Sequence, residues 1–206
     1  MPYPYRLTMS EVDSDGTDVR RAVVLDYLAH GLSDDGRPQY AKSPAGYALG
    51  TTAFQLYEVA FDEDERLTIG SEVVVEPASE RDIVTESNRV EYEDLSSGAQ
   101  SELEYVVADL VEEDEQRFVD FYNDAQPITL RLHQLNLLPG IGKKLRNGIL
   151  DERKRKPFES FEELSERVSG LHDPDEIIVE RIIQELRDED LKYQTFVGRR
   201  EQEQNQ

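Results

Sequence analysis

Apolar and polar positions change their rhythm near residue 94 and again near residue 128. Between residues 22 and 92 the apolar residues come in short groups, separated by glycine, proline or acidic links. Ala22–Ala29 reads as strand or short helix, and its β-branched start favours strand. Gly31–Pro38 and Pro44–Gly46 read as turns, Tyr47–Thr51 and Phe54–Phe61 as strands. After the acidic turn Asp62–Arg66 come Leu67–Ile69 and Glu72–Glu76. Pro77 stops the latter because it has no N–H to give to a ladder. Ile83–Thr85 and Asn88–Tyr92 are weaker strands. Short strands with tight links predict a small barrel or a curled sheet.

The rhythm then turns helical. Ser96 or Ser97 can cap a helix whose apolar positions are Leu103, Val106, Val107, Leu110 and Val111, an amphipathic stripe opposite a carboxylate face. Phe118, Phe121 and Tyr122 carry the spacing into a second helix, which Gln126-Pro127 breaks. From Ile128 the chain reads as all-helical. Thr129–Leu138 ends at Pro139, and Gly142–Arg155 ends at Pro157. A third helix starts at Ser160, where Glu163 completes a capping box and Phe161, Leu164 and Val168 face inward. Asp175–Leu186 is the fourth, with Ile178, Ile182 and Leu186 in one row. Tyr193–Val197 is expected as a strand returning to the barrel edge. The predicted class is α+β. Its parts are a polar arm (1–21), a barrel (22–92), a helical connector (93–127), a helical module (128–190), a strand segment (191–198) and a polar tail (199–206).

Charge sharpens this picture. The 206 residues carry 45 acidic and 23 basic side chains, a formal net charge of -22. Such a surface repels itself and other anions in ordinary salt, and a salt-rich cytoplasm is the setting that screens it. The sign reverses locally. Residues 131–156 hold eight basic and two acidic residues, against nine basic and 29 acidic in residues 1–130. An island of this kind predicts a local anionic partner, the alternative being charge pairing with neighbouring acidic helices. There is no cysteine, hence no disulfide or thiolate site. No apolar run is long enough to span a bilayer and no signal core is evident, so a soluble cytoplasmic protein without a membrane partner is expected.

The island contains the sharpest motif, LNLLPGIGKKLRNGIL at 135–150. Gly140 and Gly142 allow unusual dihedrals or close backbone approach, and Ile141 can anchor the turn inward. Gly142 opens a helix whose free amides and dipole suit a phosphate. Lys143, Lys144 and Arg146 lie beside it, Arg131 and His133 precede it, and Arg153, Lys154, Arg155 and Lys156 form a flanking patch. The motif resembles the helix-hairpin-helix of proteins that hold the nucleic-acid backbone without reading sequence. That resemblance also implies a monovalent cation, K⁺ or Na⁺, at the carbonyls of Leu138, Gly140 and Gly142. Residues 160–187 resemble the degenerate second pair that accompanies such a motif, with the turn Gly170-Leu171-His172-Asp173-Pro174.

RLHQLNLLPGIGKK (131–144), KPFESFEEL (156–164) and GLHDP (170–174) together resemble the archaeal domain-of-unknown-function 655 family, over residues 20–198. The resemblance implies a barrel like the oligonucleotide-binding fold, a paired helix-hairpin-helix region and a preference for RNA, ribosomal RNA included, over DNA. The acidic load looks like a halophilic version of the family, the alternative being an acidic interaction surface in an ordinary cell.

Catalytic chemistry is not indicated. His30, His133 and His172 show no metal-ligand spacing, and there is no P-loop, dinucleotide-binding glycine signature or nucleophile motif. The expectation is a non-catalytic, sequence-nonspecific nucleic-acid-binding protein with no organic cofactor. The alternatives are an adaptor that uses the same module on a protein partner and, third, a Mg²⁺-dependent nuclease with two or three carboxylates converging beside the basic patch. Asp62, Asp64 and Glu65 could attract Mg²⁺ weakly but read first as a solvated acidic turn.

Overall fold

The computed structural model describes residues 19–32, 43–62, 67–188 and 190–198, and divides into two compact units on either side of Leu103. The first unit is a curled antiparallel sheet of β1 (Arg20–Leu28), β2 (Ala45–Gly50), β3 (Leu56–Phe61), β4 (Glu72–Glu76) and β5 (Val84–Arg89), in the order β4-β1-β2-β3-β5. Its concave face collects Ala22, Val24, Ala48, Tyr57, Val59, Phe61, Val73, Val75 and Val84 into one core. Alternation in β1 and β3 puts these residues on that face. All six residues of β2 are buried, so the central strand is covered on both sides.

Two side-chain devices curl the sheet. A bulge between Val24 and Asp26 bends β1, and opposite it Gly46 admits no side chain, since a Cβ there would lie 2.0 Å from the Asp26 carbonyl oxygen. At the edges, the Val75 carbonyl of β4 accepts Arg81 Nε at 2.8 Å and the Ser87 hydroxyl of β5 at 3.0 Å. Arg81 Nη2 reaches Ser87 Oγ at 2.9 Å. Side chains thus draw the outer strands together into a half-barrel. The weaker strands Ile83–Thr85 and Asn88–Tyr92 are one element, β5, followed by a 3-10 turn at Tyr92–Asp94. Leu67–Ile69 is not a strand, and Pro44–Gly46 is less a breaker than the start of β2. Of the expected acidic cluster, Asp64 and Glu65 lie outside the described residues, as do the arm through residue 18 and the tail from residue 199.

The unit boundary falls within α1 (Ser97–Glu113). Ser96 caps α1, its hydroxyl accepting the Ala99 amide at 3.0 Å and donating to Asp26. In the second unit follow α2 (Glu115–Asp124), α3 (Lys143–Arg155), α4 (Phe161–Arg167) and α5 (Pro174–Arg187). Polar side chains tie them together through the backbone. Asn123 pairs with the amide and carbonyl of Phe158 at 2.8 and 2.9 Å, and the Tyr122 hydroxyl donates to the Pro174 carbonyl at 2.8 Å. The guanidinium of Arg167 donates to the carbonyls of Glu152 and Lys156, both at 2.7 Å, and lies over the Phe158 ring. Ser160 caps α4 by accepting the Glu163 amide at 3.1 Å.

Two expected elements differ. Thr129–Leu138 is not one helix but a tight turn followed by a 3-10 turn at Gln134–Leu137. The Thr129 hydroxyl accepts the amides of Arg131 and Leu132, and such local side-chain bonds compete with helix formation. Tyr193–Val197 is not a strand. The buried Glu185 carboxylate accepts the amides of Thr195, Phe196 and Val197 at 2.7, 2.8 and 3.0 Å, which takes those donors away from any ladder. Phe196 packs against Phe118 and Phe121.

Candidate nucleic-acid interface

The turn Leu138–Gly142 is fixed from inside. Ile141 is buried and its amide donates to the Leu138 carbonyl at 3.2 Å, while Asn136 Nδ2 donates to the Ile141 carbonyl at 2.9 Å. Gly140 has φ +74°, a left-handed conformation that glycine adopts without strain. No heavy atom lies within 4 Å of a Cβ built on Gly140 or Gly142, so the outer side of the turn is open. Gly142 is the N-cap of α3, and its carbonyl accepts the Arg146 amide at 3.0 Å. The amides of Lys143, Lys144 and Leu145 have no acceptor among the described residues. They are the orphan donors that a helix start presents.

The expected basic residues divide into two groups. Lys143, Lys144 and Arg131 are exposed, with no ion-pair partner among the described residues. Arg146 is half-buried and oriented: Nη1 donates to Asn136 Oδ1 at 3.1 Å, and Nε and Nη2 donate to Asn147 Oδ1 at 3.2 and 3.0 Å. Asn136 therefore braces the turn with its amide nitrogen and Arg146 with its oxygen.

The other group has partners, Arg153 within the fold and Lys154, Arg155 and Lys156 at the surface. Arg153 donates to the carbonyls of Tyr122 and Ala125, both at 2.9 Å, and so satisfies the end of α2. Lys154 faces Asp151 at 3.6 Å, and Arg155 pairs with Glu152 at 2.7 Å. Lys156 lies between Glu159 and Glu163 at 3.2 and 3.3 Å, bonds that raise its pKa above the usual lysine value. The Glu163 carboxyl is held below the usual range first by the Glu159 amide, then by Arg167 and Lys156. The flanking patch of the sequence reading is thus compensated by its own acidic neighbours. His133 is buried, and its Nδ1 accepts the Leu135 amide at 3.2 Å as cap of the 3-10 turn.

The carbonyls of Leu138, Gly140 and Gly142, expected to face a K⁺ or Na⁺ ion, each accept one backbone amide, from Ile141, Gly142 and Arg146 respectively. A carbonyl oxygen has a second lone pair, so each of the three can still accept or coordinate. Among the described residues no group of three or more His, Asp or Glu side chains is arranged to hold a metal ion.

The second turn repeats the first thirty residues on. Gly170 (φ +89°) answers Gly140, buried Leu171 answers Ile141, and the Leu171 amide donates to the Val168 carbonyl at 3.0 Å as Ile141 does to Leu138. The sequence signal was the pair LLPGI and RVSGL, legible once aligned. The helix it opens begins differently: Asp173 (φ +45°) is the N-cap of α5, Pro174 is its first residue, and Asp175 and Glu176 fill its first turn. Carboxylates there favour the helix dipole and repel a phosphate.

Three described arginines of the barrel are engaged within the sheet. Arg20 pairs with Glu76 at 2.7 Å, Arg21 with Glu72 at 3.2 Å, and Arg81 closes the strand edges. Among the described residues no helix is long and apolar enough to cross a membrane.

Comparison with known proteins agrees with this architecture. The crystal structure of Af1531 from Archaeoglobus fulgidus matches with a TM-score of 0.80 at 40% identity, over 87% of this chain and 99% of that one. The uncharacterized protein MJ0038 of Methanocaldococcus jannaschii is 40% identical over 177 residues, 85% of this chain and 78% of that protein. The family model described as "Protein of unknown function (DUF655)" matches residues 18–198, and with it the half-barrel, the basic turn and its acidic counterpart. The chain belongs to the DUF655 family.

Proposed function

We propose that this protein is a non-catalytic, sequence-nonspecific nucleic-acid-binding protein of the cytoplasm. It holds a phosphate of the backbone at the turn Gly140–Lys144, with RNA as the preferred ligand. In this reading the 3-10 turn, the glycine turn and α3 act as a helix-hairpin-helix, and residues 161–187 as its degenerate partner. The half-barrel is of oligonucleotide-binding type, and the hairpin carbonyls carry K⁺ or Na⁺ bridging to the phosphate. The observation that carries the reading is the coincidence of three unpartnered amides with two unpaired lysines, Lys143 and Lys144, on the rim of an open turn in a chain of net charge -22. Fixed amides at a helix start favour an anion, and the lysines add charge without sequence selectivity.

The test is fluorescence-anisotropy titration of a single-stranded RNA, a ribosomal RNA fragment and a DNA duplex at several KCl concentrations. Wild type is expected to saturate, and Lys143→Glu/Lys144→Glu to lose binding while its circular dichroism stays unchanged. In Lys143→Gln the slope of log K against log salt is expected to become more positive by about 0.7–0.9, the share of one phosphate contact. Equal affinity of the wild type and the double variant would sink the proposal and move the weight to a protein-binding adaptor.

A further inference from the structure

Just upstream of the candidate interface, the chain from Pro127 to His133 forms a tight turn that projects an aliphatic side chain into solvent. A bridge between Pro127 and His133 closes its base. The Leu132 carbonyl accepts the amides of Ile128 and Thr129 at 2.8 and 3.0 Å, and the Thr129 hydroxyl accepts those of Arg131 and Leu132 at 3.2 and 3.0 Å. At the tip Leu130 has a relative exposure of 107%, against 71% for Tyr105 and 49% for Ile69, the other large exposed apolar residues described. Arg131 beside it is exposed and has no ion-pair partner among the described residues. At the root, His133 caps the 3-10 turn Gln134–Leu137, whose Asn136 holds both the glycine turn and Arg146, so one short element joins this turn to the candidate interface.

We infer that Leu130 and Arg131 make a second contact on the nucleic acid held at Gly140–Lys144, with Leu130 against the face of a nucleobase and Arg131 on a neighbouring phosphate. The inference rests on the proposed function and adds a base-contacting site to it. An exposed leucine contributes no burial energy in the free protein and gains it when its methyl groups are covered. The unpaired cation beside it selects an anionic partner, and nucleic acid offers apolar base faces next to phosphates. Aliphatic side chains do insert between bases, and bases are most accessible in unpaired strands. The two sources of a base face are thus an unpaired strand and a duplex step opened by the leucine.

Two oligonucleotides containing 2-aminopurine, a single-stranded RNA and a duplex of the same sequence, distinguish them. Wild type is expected to increase the fluorescence of the probe as the labelled base leaves its neighbours. An increase with the single strand identifies an unpaired base, and an increase with the duplex identifies a wedge. Leu130→Ala is expected to lose that increase and to bind about five- to tenfold more weakly, on the scale of partly burying one leucine. Its salt slope should match wild type, since no phosphate contact is removed. An undiminished fluorescence increase and unchanged affinity in Leu130→Ala, with binding still lost in Lys143→Glu/Lys144→Glu, would overturn this inference and leave the proposed function standing. Absence of binding by the wild type would remove both.

Discussion

His133 shows how a residue type that suggests ligand chemistry is used for folding. Its Nδ1 is the acceptor that caps the 3-10 turn, so the ring must be neutral and protonated at Nε2 for the cap to form. Burial lowers its pKa from the ordinary 6.5, and Arg153 and Arg146 lower it further. The sign of the linkage follows. Below pH 6.5 the unfolded chain takes up a proton that the folded chain resists, so stability is full above that pH and declines as pH falls through it. Urea unfolding between pH 7.5 and 5 is expected to show this decline. His133→Asn, which retains a capping acceptor, is expected to flatten it. A wild-type His133 ring titrating by NMR at or above the ordinary value would refute this reading.

At the scale of elements, Glu185 is the decisive side chain. With Arg181 at 2.8 Å on one side and three amides on the other, this carboxylate makes the segment Thr195–Val197 part of the second unit. Glu185→Ala is expected to cost about 3–5 kcal/mol, the scale for breaking a buried ion pair. Replacing both partners by apolar residues is often neutral for an isolated pair. Here Arg181→Met/Glu185→Leu is expected to stay destabilised, because the amides of residues 195–197 still lose their acceptor. Denaturant midpoints of the single and double variants decide this, and a fully restored double variant would show that the amides matter little. The two mistaken elements of the second unit have this origin. Glu72–Glu76 was legible to the residue because Pro77 ends it, and α4 because Ser160 caps it. Thr129–Leu138 and Tyr193–Val197 were not, because the Thr129 hydroxyl and the Glu185 carboxylate redirect backbone donors in ways that periodicity does not encode. The site divides likewise. Glycine spacing located the turn and the lysines, but which basic side chains remain available depends on tertiary partners. Arg153 is used at the end of α2 and Lys156 between two glutamates.

The whole molecule sets its net charge of -22 against this small positive turn. Repulsion between a ligand and the carboxylates acts at long range and falls away as the Debye length shortens from about 10 Å at 0.1 M salt to about 3 Å at 1 M. Contacts at the turn act at hydrogen-bonding distance and outlast that screening. Affinity for RNA is therefore expected to rise as KCl increases from 0.1 M before it levels or falls, opposite to the usual trend for a phosphate-binding protein. Titrations across that range check it. A uniformly negative slope from the lowest salt would mean that the bulk charge is not felt at the site.

The clamp on Thr195–Val197 also bears on how the chain is made. A ribosome delivers α5, with the Arg181–Glu185 pair, before it delivers the amides that Glu185 needs. Until Val197 has cleared the exit tunnel, the nascent helix must either keep Glu185 in water or bury it short of partners. Closure of the second unit around Glu185 therefore waits for Thr195–Val197.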